Sequence, residues 1–246
     1  MKKLLKKDIV SSPLAIACLL QMSKEEFYAY KLRRKQENKP NYYLQSLKEI
    51  EEIQKTYTDR KPKLLLHTCC AVCAGWPLEF LSSVFDITIY YNNSNIYPQS
   101  EYNRRKDELI RLVHEIYGEA IQMIFPPYDN VSYTKKLEPL KDEPEGYLRC
   151  FYCYALRMRE AYEYANDNHF DYFTTVMTIS RQKDSLKLNE IGHSLEKKYP
   201  SVKYFYSDFK KSGGQVRRDE IVHEYNLYSQ DYCGCIYSYN ERKKRD

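Results

Sequence analysis

Seven of the eight cysteines in this 246-residue chain fall into three short groups. The groups are Cys69-Cys70-Ala71-Val72-Cys73, Cys150-Phe151-Tyr152-Cys153 and Cys233-Gly234-Cys235. In a reducing compartment, cysteines clustered in this way bind metal or carry out redox chemistry more often than they form structural disulfides. Cys18 stands alone in an apolar segment, which is typical of a small core residue. The spacing therefore predicts a cysteine-based reactive site.

The first two groups have the residue types of a metal site. Cys150 and Cys153 can approach one metal centre together, because two intervening residues turn both sulfurs the same way at a helix start. Adjacent Cys69 and Cys70 face one centre only at a turn, as just past a strand end. A cubane cluster has four irons at separated corners and tolerates this geometry better than one zinc ion. We therefore predict that these four cysteines ligate a [4Fe–4S] cluster, with structural zinc as the alternative.

The third group has a different spacing, with a single glycine between Cys233 and Cys235. A disulfide closed over so short a span is strained, and strained disulfides are easily reduced and often catalytic. A redox-active dithiol is the favoured interpretation. Two extra metal ligands are the alternative.

Other polar signals are weaker than the cysteine groups. The net charge of +5 permits a polyanionic partner without requiring one. Three basic pairs are candidates for contacts to the phosphates of a nucleic acid, although such pairs are usually solvated helix faces. They are Arg104 and Arg105, Lys210 and Lys211, and Arg217 and Arg218. His67, directly before the first group, is typical of a hydrogen-bonded core residue.

The elements that must position these cysteines alternate between strand and helix patterns. Strands are predicted at Lys63–Leu66, Ile87–Tyr91, Ile121–Phe125, Tyr172–Val176 and Val202–Tyr206, and helices at Trp76–Val84, Glu101–Tyr117, Phe151–Asn166, Lys183–Lys198 and Val216–Tyr225. This alternation predicts an α/β fold, a Rossmann-like parallel sheet with helices on both faces. Residues 1–60, without glycine, are predicted to form an N-terminal helical extension, and residues 61–246 an α/β iron–sulfur catalytic domain. Active sites in such sheets lie at the carboxyl ends of the strands, where the first cysteine group falls.

The cellular compartment follows from the apolar pattern. No run approaches the ~20 apolar residues that span a membrane. The basic and apolar start of the chain imitates a signal peptide, but Asp8 interrupts it and no small-residue cleavage site follows cleanly. A cytoplasmic protein without a membrane partner is the expectation.

Six stretches of the sequence resemble the QueH family of cobalamin-independent epoxyqueuosine reductases. They are LLLHTCCAVCA at Leu64–Ala74, NNSNIYPQSEYNRR at Asn92–Arg105, GYLRCFYCYALRM at Gly146–Met158, FTTVMTISRQKD at Phe173–Asp184, DFKKSGG at Asp208–Gly214 and YSQDYCGCIYS at Tyr228–Ser238. The resemblance runs in order from Pro62 to Ser238, and the combined motifs are highly specific.

The resemblance implies reductive removal of the epoxide oxygen of epoxyqueuosine at the wobble position of tRNA, which gives queuosine in the last step of that modification. It implies that Cys69, Cys70, Cys150 and Cys153 are the [4Fe–4S] ligands, and that Cys233 and Cys235 are the redox-active pair. Family members can carry one additional iron, and some have an aspartate where this chain has Cys73, which makes Cys73 a candidate ligand of that iron. The pair must be recharged by an external electron donor. A departure from the family is Ile-Ser-Arg-Gln at Ile179–Gln182, where a Ser-Pro pair is frequent.

Two other classes of protein compete with this interpretation. An iron–sulfur enzyme that transfers sulfur to tRNA activates the base with ATP and carries an SGG-type phosphate loop after its first strand. This chain has His-Thr-Cys-Cys there, at His67–Cys70. A zinc-bearing RNA-binding module explains four cysteines and the basic pairs but leaves Cys233 and Cys235 without a task.

Overall fold

The computed structural model describes residues 40–244. Cys18 and most of the predicted helical extension lie outside these residues. Between residues 40 and 244 there are five strands and eight α-helices. In chain order the elements are α1 (Tyr42–Thr56), β1 (Lys63–His67), α2 (Ala71–Leu81), β2 (Asp86–Tyr90), α3 (Gln99–Tyr117), β3 (Gln122–Ile124), α4 (Asn130–Leu137), α5 (Leu148–Asp167), β4 (Tyr172–Thr175), α6 (Ser185–Lys198), β5 (Lys203–Tyr204), α7 (Gly214–Glu224) and α8 (Ile236–Lys243). Short 3-10 turns follow α4 and β4, at Glu138–Leu140 and Val176–Ile179.

The five strands form one parallel sheet in the order β3-β2-β1-β4-β5. The chain builds outward from β1 to β3 and then returns to the other side of β1 for β4. Parallel neighbours joined through helices are the Rossmann-like arrangement, so the predicted fold class is confirmed. The reversal of direction opens a crevice at the carboxyl ends of β1 and β4, which is the place where such sheets bind ligands.

The central strands are buried on both faces. Leu64, Leu65 and Leu66 of β1 have no exposed surface, and every residue of β4 is buried. A strand whose successive side chains are all buried must be covered by a layer on each side. Continuous apolar runs such as Leu64–Leu66 therefore read as central strands of a parallel sheet.

The helix that follows β1 packs tightly on α7 through two glycines. A Cβ at Gly75 of α2 would lie 2.7 Å from Ile221 Cγ2, and a Cβ at Gly214 of α7 would lie 2.7 Å from Trp76 Nε1. Backbone approach this close leaves room only for glycine. The contact fixes α2, and with it the cysteines at its start.

The described part of the predicted extension is α1, which begins at the N-cap Asn41, whose side chain accepts a hydrogen bond from the Leu44 amide. Its tyrosines pack on the domain: Tyr42 stacks on Tyr206 with ring centroids 5.7 Å apart. Ile53 is buried beneath the helix, whereas Leu44 is 53 % exposed.

Three features of the fold differ from the pattern-based prediction. Helix α2 begins at Ala71, five residues before the predicted start. The prediction missed this start because the first turn is apolar and Cys70, at the N-cap, makes no side-chain capping bond. Helices α4 and α8 were not predicted. Helix α4 is short and rich in polar and β-branched residues, and its clearest start signal is the Asp129 cap on Ser132. Within residues 40–244, no helix combines the length and apolarity needed to cross a membrane.

Candidate active site

A buried histidine lies at the carboxyl end of β1, where ligands bind in sheets of this topology. His67 Nδ1 lies 2.8 Å from Thr175 Oγ1, which joins the ends of the two strands. Burial, helped by the positive charge of Arg157, holds the pKa of His67 well below its ordinary value, so the ring is neutral. His67 is therefore a hydrogen-bonded core residue, as its position in the sequence indicated.

Three cysteine sulfurs lie close together in the segment that directly follows β1. The sulfurs of Cys69, Cys70 and Cys73 all lie within 4.8 Å of one another, and all three residues are buried. Cys70 has an extended backbone (φ −172°, ψ 165°) at the N-cap of α2, and Cys73 lies in the first turn of that helix. The break between strand and helix lets the side chains of Cys69 and Cys70 turn to the same side, 3.9 Å apart.

The three thiols share negative charge unequally. Hydrogen bonds from Cys69 and Cys73 hold the pKa of Cys70 well below its ordinary value, and Arg105 and the Gln230 amide act in the same direction. The hydrogen bond with Cys70 raises the pKa of Cys69, and hydrogen bonds with Cys69 and Cys70 raise the pKa of Cys73. Three buried sulfurs cannot all ionise without a cation, so the group has the donor chemistry of a metal site.

A second pair of thiols lies at the start of α5. The Cys150 sulfur accepts a hydrogen bond from the Gly146 amide at 3.2 Å. The hydroxyl of Tyr133, on α4, lies 3.1 Å from the Cys153 carbonyl and 3.3 Å from the Cys153 sulfur. Burial raises the pKa of both thiols. Each sulfur is thus fixed by a donor from a different segment.

The third group forms a short loop before α8. Cys233 and Cys235 are half-buried free thiols, and the sulfur of Cys235 lies 3.4 Å from both the backbone nitrogen and the hydroxyl of Ser238. Burial, with the charge of Cys233, raises the pKa of Cys235 to about 11. The charge of Cys233 also raises the pKa values of Cys150 and Cys153. The loop therefore lies within electrostatic range of the start of α5.

Two cations join the three groups electrostatically. Burial lowers the pKa of Lys183, but the charges of Cys233, Cys69 and Cys73 outweigh it and raise that pKa above its ordinary value. Burial likewise opposes the charge on Arg157, while Cys153 and Cys69 raise its pKa. Arg157 is 3 % exposed, and its guanidinium donates to the Asn93 side chain and to Met177 Sδ, 3.4 Å away. The countercharges of both cations are sulfurs.

The residues present fit a thiolate-bound metal centre. The donors are soft sulfurs, which suit zinc and iron–sulfur clusters. The guanidinium nitrogen Nε of Arg157 is buried without a hydrogen-bond partner. A buried guanidinium beside several sulfurs is stabilised by a site of net negative charge, as four thiolates around a metal centre provide. The compact group is Cys69, Cys70 and Cys73, in which the Cys73 sulfur lies within 4.8 Å of both other sulfurs.

Sequence reasoning passed over several residues of this site, chiefly Arg157, Lys183, Tyr133 and Gln230. Arg157 lies four residues after Cys153, one helical turn along the same face, and that spacing was the available signal. Tyr133 and Gln230 reach the sulfurs from segments distant in sequence. No local pattern identifies such contacts.

The six basic residues predicted to contact phosphate have different surroundings, and one requires a correction. Arg105 is 3 % exposed and paired with Glu101, so it is not available to a phosphate. The prediction treated Arg105 as a surface residue, whereas Arg105 lies on the buried face of α3 together with Leu109 and Leu112.

The other five basic residues differ in how far their charges are satisfied. Arg217 pairs with Glu79 and two further glutamates, and Arg218 pairs with Asp219. The Lys210 ammonium lies 3.4 and 3.3 Å from two backbone carbonyls. Arg104 and Lys211 are exposed, and the Arg104 guanidinium lies 3.4 Å from the centroid of the Tyr228 ring.

Comparison with known proteins identifies similar chains. The family model described as "Epoxyqueuosine reductase QueH" matches residues 64–241. A protein of Streptococcus pyogenes serotype M1 with the same name is 36 % identical over 204 residues, which cover 81 % of this chain and 80 % of that protein. A protein of that name from Histophilus somni is 41 % identical over 183 residues, 74 % of each chain. One from Staphylococcus aureus strain Mu50 is 39 % identical over 183 residues, 72 % of this chain and 76 % of its own.

Proposed function

Because this chain belongs to the QueH family of epoxyqueuosine reductases, we infer that it is an oxidoreductase that removes the epoxide oxygen of epoxyqueuosine. We propose that the substrate is tRNA carrying this base at its wobble position, and that the product is queuosine. The observation that carries this proposal is the buried group of Cys69, Cys70 and Cys73 at the start of α2. Cys153 and Cys233 are linked to this group through Arg157 and Lys183, whose pKa values the charges of the cysteines raise.

The proposed cofactor is a [4Fe–4S] cluster. Cys69 and Cys70, after β1, and Cys150 and Cys153, on α5, would hold it. Cys73, in the same compact group as Cys69 and Cys70, would hold one additional iron. When bound, such a centre supplies single-electron transfer and a Lewis-acidic iron.

The reaction balances with the dithiol as reductant. Conversion of an epoxide to an alkene takes up two electrons and two protons and releases one water. Closure of Cys233 and Cys235 to a disulfide releases two electrons and two protons, so one closure matches one epoxide. Two electrons and two protons from an external donor, either a dithiol or two successive one-electron transfers, then reduce the disulfide before the next turnover.

The protein's own charges assist departure of the oxygen. Lys183 keeps its proton because the surrounding sulfur charges raise its pKa. Its ammonium lies within electrostatic range of Cys69, Cys73 and Cys233 and would offer positive charge where the oxygen gains negative charge. Arg157 contributes a second fixed positive charge from α5.

The proposed tRNA surface begins where α3 meets the segment that leads to Cys233. Arg104 lies over the ring of Tyr228 and is exposed, and together they line an open cleft of about 500 Å³. A guanidinium stacked on an aromatic ring suits both phosphate and base contacts. Lys211, Lys210, Arg217 and Arg218 are proposed as weaker contributors, since three of these four side chains already have partners in the protein. Free thiols in this number fit the reducing cytoplasm, where we place the enzyme.

The test is nucleoside analysis of tRNA from a strain without epoxyqueuosine reductase activity, complemented with this chain or its variants. The parent protein should restore queuosine. Cys150→Ser and Cys153→Ser should restore none and should purify with lowered iron. Cys233→Ser and Cys235→Ser should restore none and should keep the iron of the parent. Cys18→Ser is the matched control and should behave as the parent in both measurements.

Three results would contradict the proposal. Full iron in both Cys150→Ser and Cys153→Ser would remove these residues from the ligand set. Loss of iron in both Cys233→Ser and Cys235→Ser would make this pair ligands. A colourless parent protein that contains zinc and restores no queuosine would favour the RNA-binding module.

A further inference from the structure

The loop that carries Cys233 and Cys235 is held by a buried arginine on α3. The Arg105 guanidinium contacts two successive backbone carbonyls of the loop, those of Tyr232 at 3.4 Å and Cys233 at 3.3 Å. The same guanidinium lies over the ring of Tyr232, 5.2 Å from its centroid. One side chain thus makes three contacts to the amino side of the dithiol loop, two to backbone carbonyls and one to the Tyr232 ring.

Arg105 is itself fixed by an acid on the same helix. The Arg105 Nε lies 2.6 Å from Glu101 Oε1, and both side chains are largely buried. The Tyr228 hydroxyl lies 3.2 Å from each Glu101 oxygen. A buried guanidinium needs such a partner, because an unpaired charge in the interior is costly. Glu101 therefore sets the direction in which Arg105 faces the loop.

The loop backbone is also tied on its other side. The Tyr97 amide donates to the Gly234 carbonyl at 2.7 Å, and the Tyr232 hydroxyl donates to the Tyr97 carbonyl at 2.5 Å. Gly234 has a φ of +117°, and a Cβ there would lie 2.8 Å from Arg105 Nη1. The glycine is required both for its backbone conformation and for the close approach of Arg105.

We propose that Arg105, oriented by Glu101, is a positioning residue that sets the geometry of the Cys233–Gly234–Cys235 loop for its redox cycle. This inference rests on the proposed function of the two cysteines. It assigns Arg105 a task other than phosphate binding: a planar fork that bridges two carbonyls at once, which a lysine cannot do. Without that bridge the loop keeps its bonds to Tyr97, but the positions of its two thiols are less firmly fixed.

The test compares Arg105→Lys and Glu101→Gln with the parent protein. Arg105→Lys keeps the positive charge but loses the planar guanidinium that bridges the two carbonyls. Glu101→Gln keeps the shape of the side chain that orients Arg105 but loses its negative charge. The second variant tests the role of Arg105 even if Arg105→Lys folds poorly. Arg60→Gln is the control, since Arg60 also makes a two-point pair, with Asp171, at the amino ends of β1 and β4, the end of the sheet opposite the cysteines. Two quantities are measured in the reduced protein: the rate of iodoacetamide alkylation of Cys233 and Cys235, and kcat and KM with epoxyqueuosine-containing tRNA.

In Arg105→Lys, alkylation of both thiols should rise about tenfold and kcat should fall about tenfold, the factor expected for one lost charge-assisted hydrogen bond. KM and iron content should stay at the parent values, and Glu101→Gln should change in the same directions by a smaller factor. Arg60→Gln should match the parent throughout. Unchanged alkylation and kcat in both variants would overturn the inference, and so would a rise in KM alone, which would make Arg105 a tRNA contact.

Failure of the inference and failure of the proposed function are distinguishable. If Cys233→Ser abolishes turnover while Arg105→Lys leaves it intact, the dithiol stands and the positioning role falls. If Cys233→Ser turns over normally, the dithiol itself is not the reductant.

Discussion

The substitution Gly234→Ala measures how firmly the dithiol loop is held. The added Cβ meets two costs: a backbone at φ +117°, and a contact 2.8 Å from Arg105 Nη1. A non-glycine residue in such a conformation costs about 1–3 kcal/mol. The guanidinium cannot retreat without loss, because its bonds to the loop carbonyls are already 3.3 and 3.4 Å long.

The contact contributes a separate share of the cost. Loss of two long charge-assisted hydrogen bonds removes about 2 kcal/mol, taking about 1 kcal/mol for each. Gly213→Ala is the matched control, since Gly213 has a φ of +81° and a Cβ there would meet nothing within 4 Å. Its cost is the backbone share alone, about 1–2 kcal/mol. Gly234→Ala should therefore lose about 2 kcal/mol more than Gly213→Ala.

Thermal unfolding of the reduced protein, followed by circular dichroism without oxygen, gives the comparison. In a domain of this size each kcal/mol lowers Tm by about 2–4 °C, so the two variants should differ by about 4–8 °C. In an Arg105→Gln background the extra cost of Gly234→Ala should disappear, because the clash partner has gone. Equal Tm values for the two alanine variants, or an extra cost that persists without Arg105, would refute the account of the loop.

Three further outcomes are expected. Tyr133→Phe should keep the iron but lower the one-electron reduction potential of the proposed cluster by about 40 mV, because a hydrogen bond of about 1 kcal/mol to Cys153 is lost. A potentiometric titration measures this potential, and a value equal to that of the parent protein would contradict the prediction. The rate of alkylation of Cys235 in reduced, metal-free protein should rise with pH and be half-maximal near pH 11, since burial and the charge of Cys233 raise the pKa of Cys235. In Cys233→Ser this midpoint should fall to a lower pH, and an unchanged midpoint would exclude the charge of Cys233 as a cause. Arg104→Gln should weaken tRNA binding and reduce the magnitude of the slope of log affinity against log salt concentration by about 1. Filter binding over a range of salt concentrations measures this slope, and an unchanged slope would place the phosphate contact elsewhere.

The sheet was predictable from the sequence because its strands are continuous apolar runs such as Leu64–Leu66, separated by helices long enough to cross over. The start of α2 was not. With a start at Trp76, Cys73 falls in a loop, whereas the observed start at Ala71 places it in the first helical turn beside Cys69 and Cys70. An apolar helix start without a capping side chain carries no local signal.

Two neighbouring arginines of α3 also show what a local sequence pattern leaves undetermined. Arg104 and Arg105 look alike in the sequence, yet one is exposed and the other is buried. The helical period contained the difference, since Arg105 lies four residues before the buried Leu109 and three after the buried Tyr102. The helical period does not explain why the charge of Arg105 is buried. The explanation lies in the loop carbonyls that the guanidinium contacts, which are more than 120 residues away in the chain.

The packing of Trp76 against Gly214 gives the protein a built-in optical reporter. Trp76 is the single tryptophan of the chain, among 26 tyrosines, and it lies on α2 three residues after Cys73. Light absorbed by the tyrosines is passed to this one indole, whose emission is quenched by any strongly coloured group bound nearby. Filling of the cysteine site and detachment of α7 should therefore both change one fluorescence band, quenching in the first case and a shift toward the emission of a hydrated indole in the second.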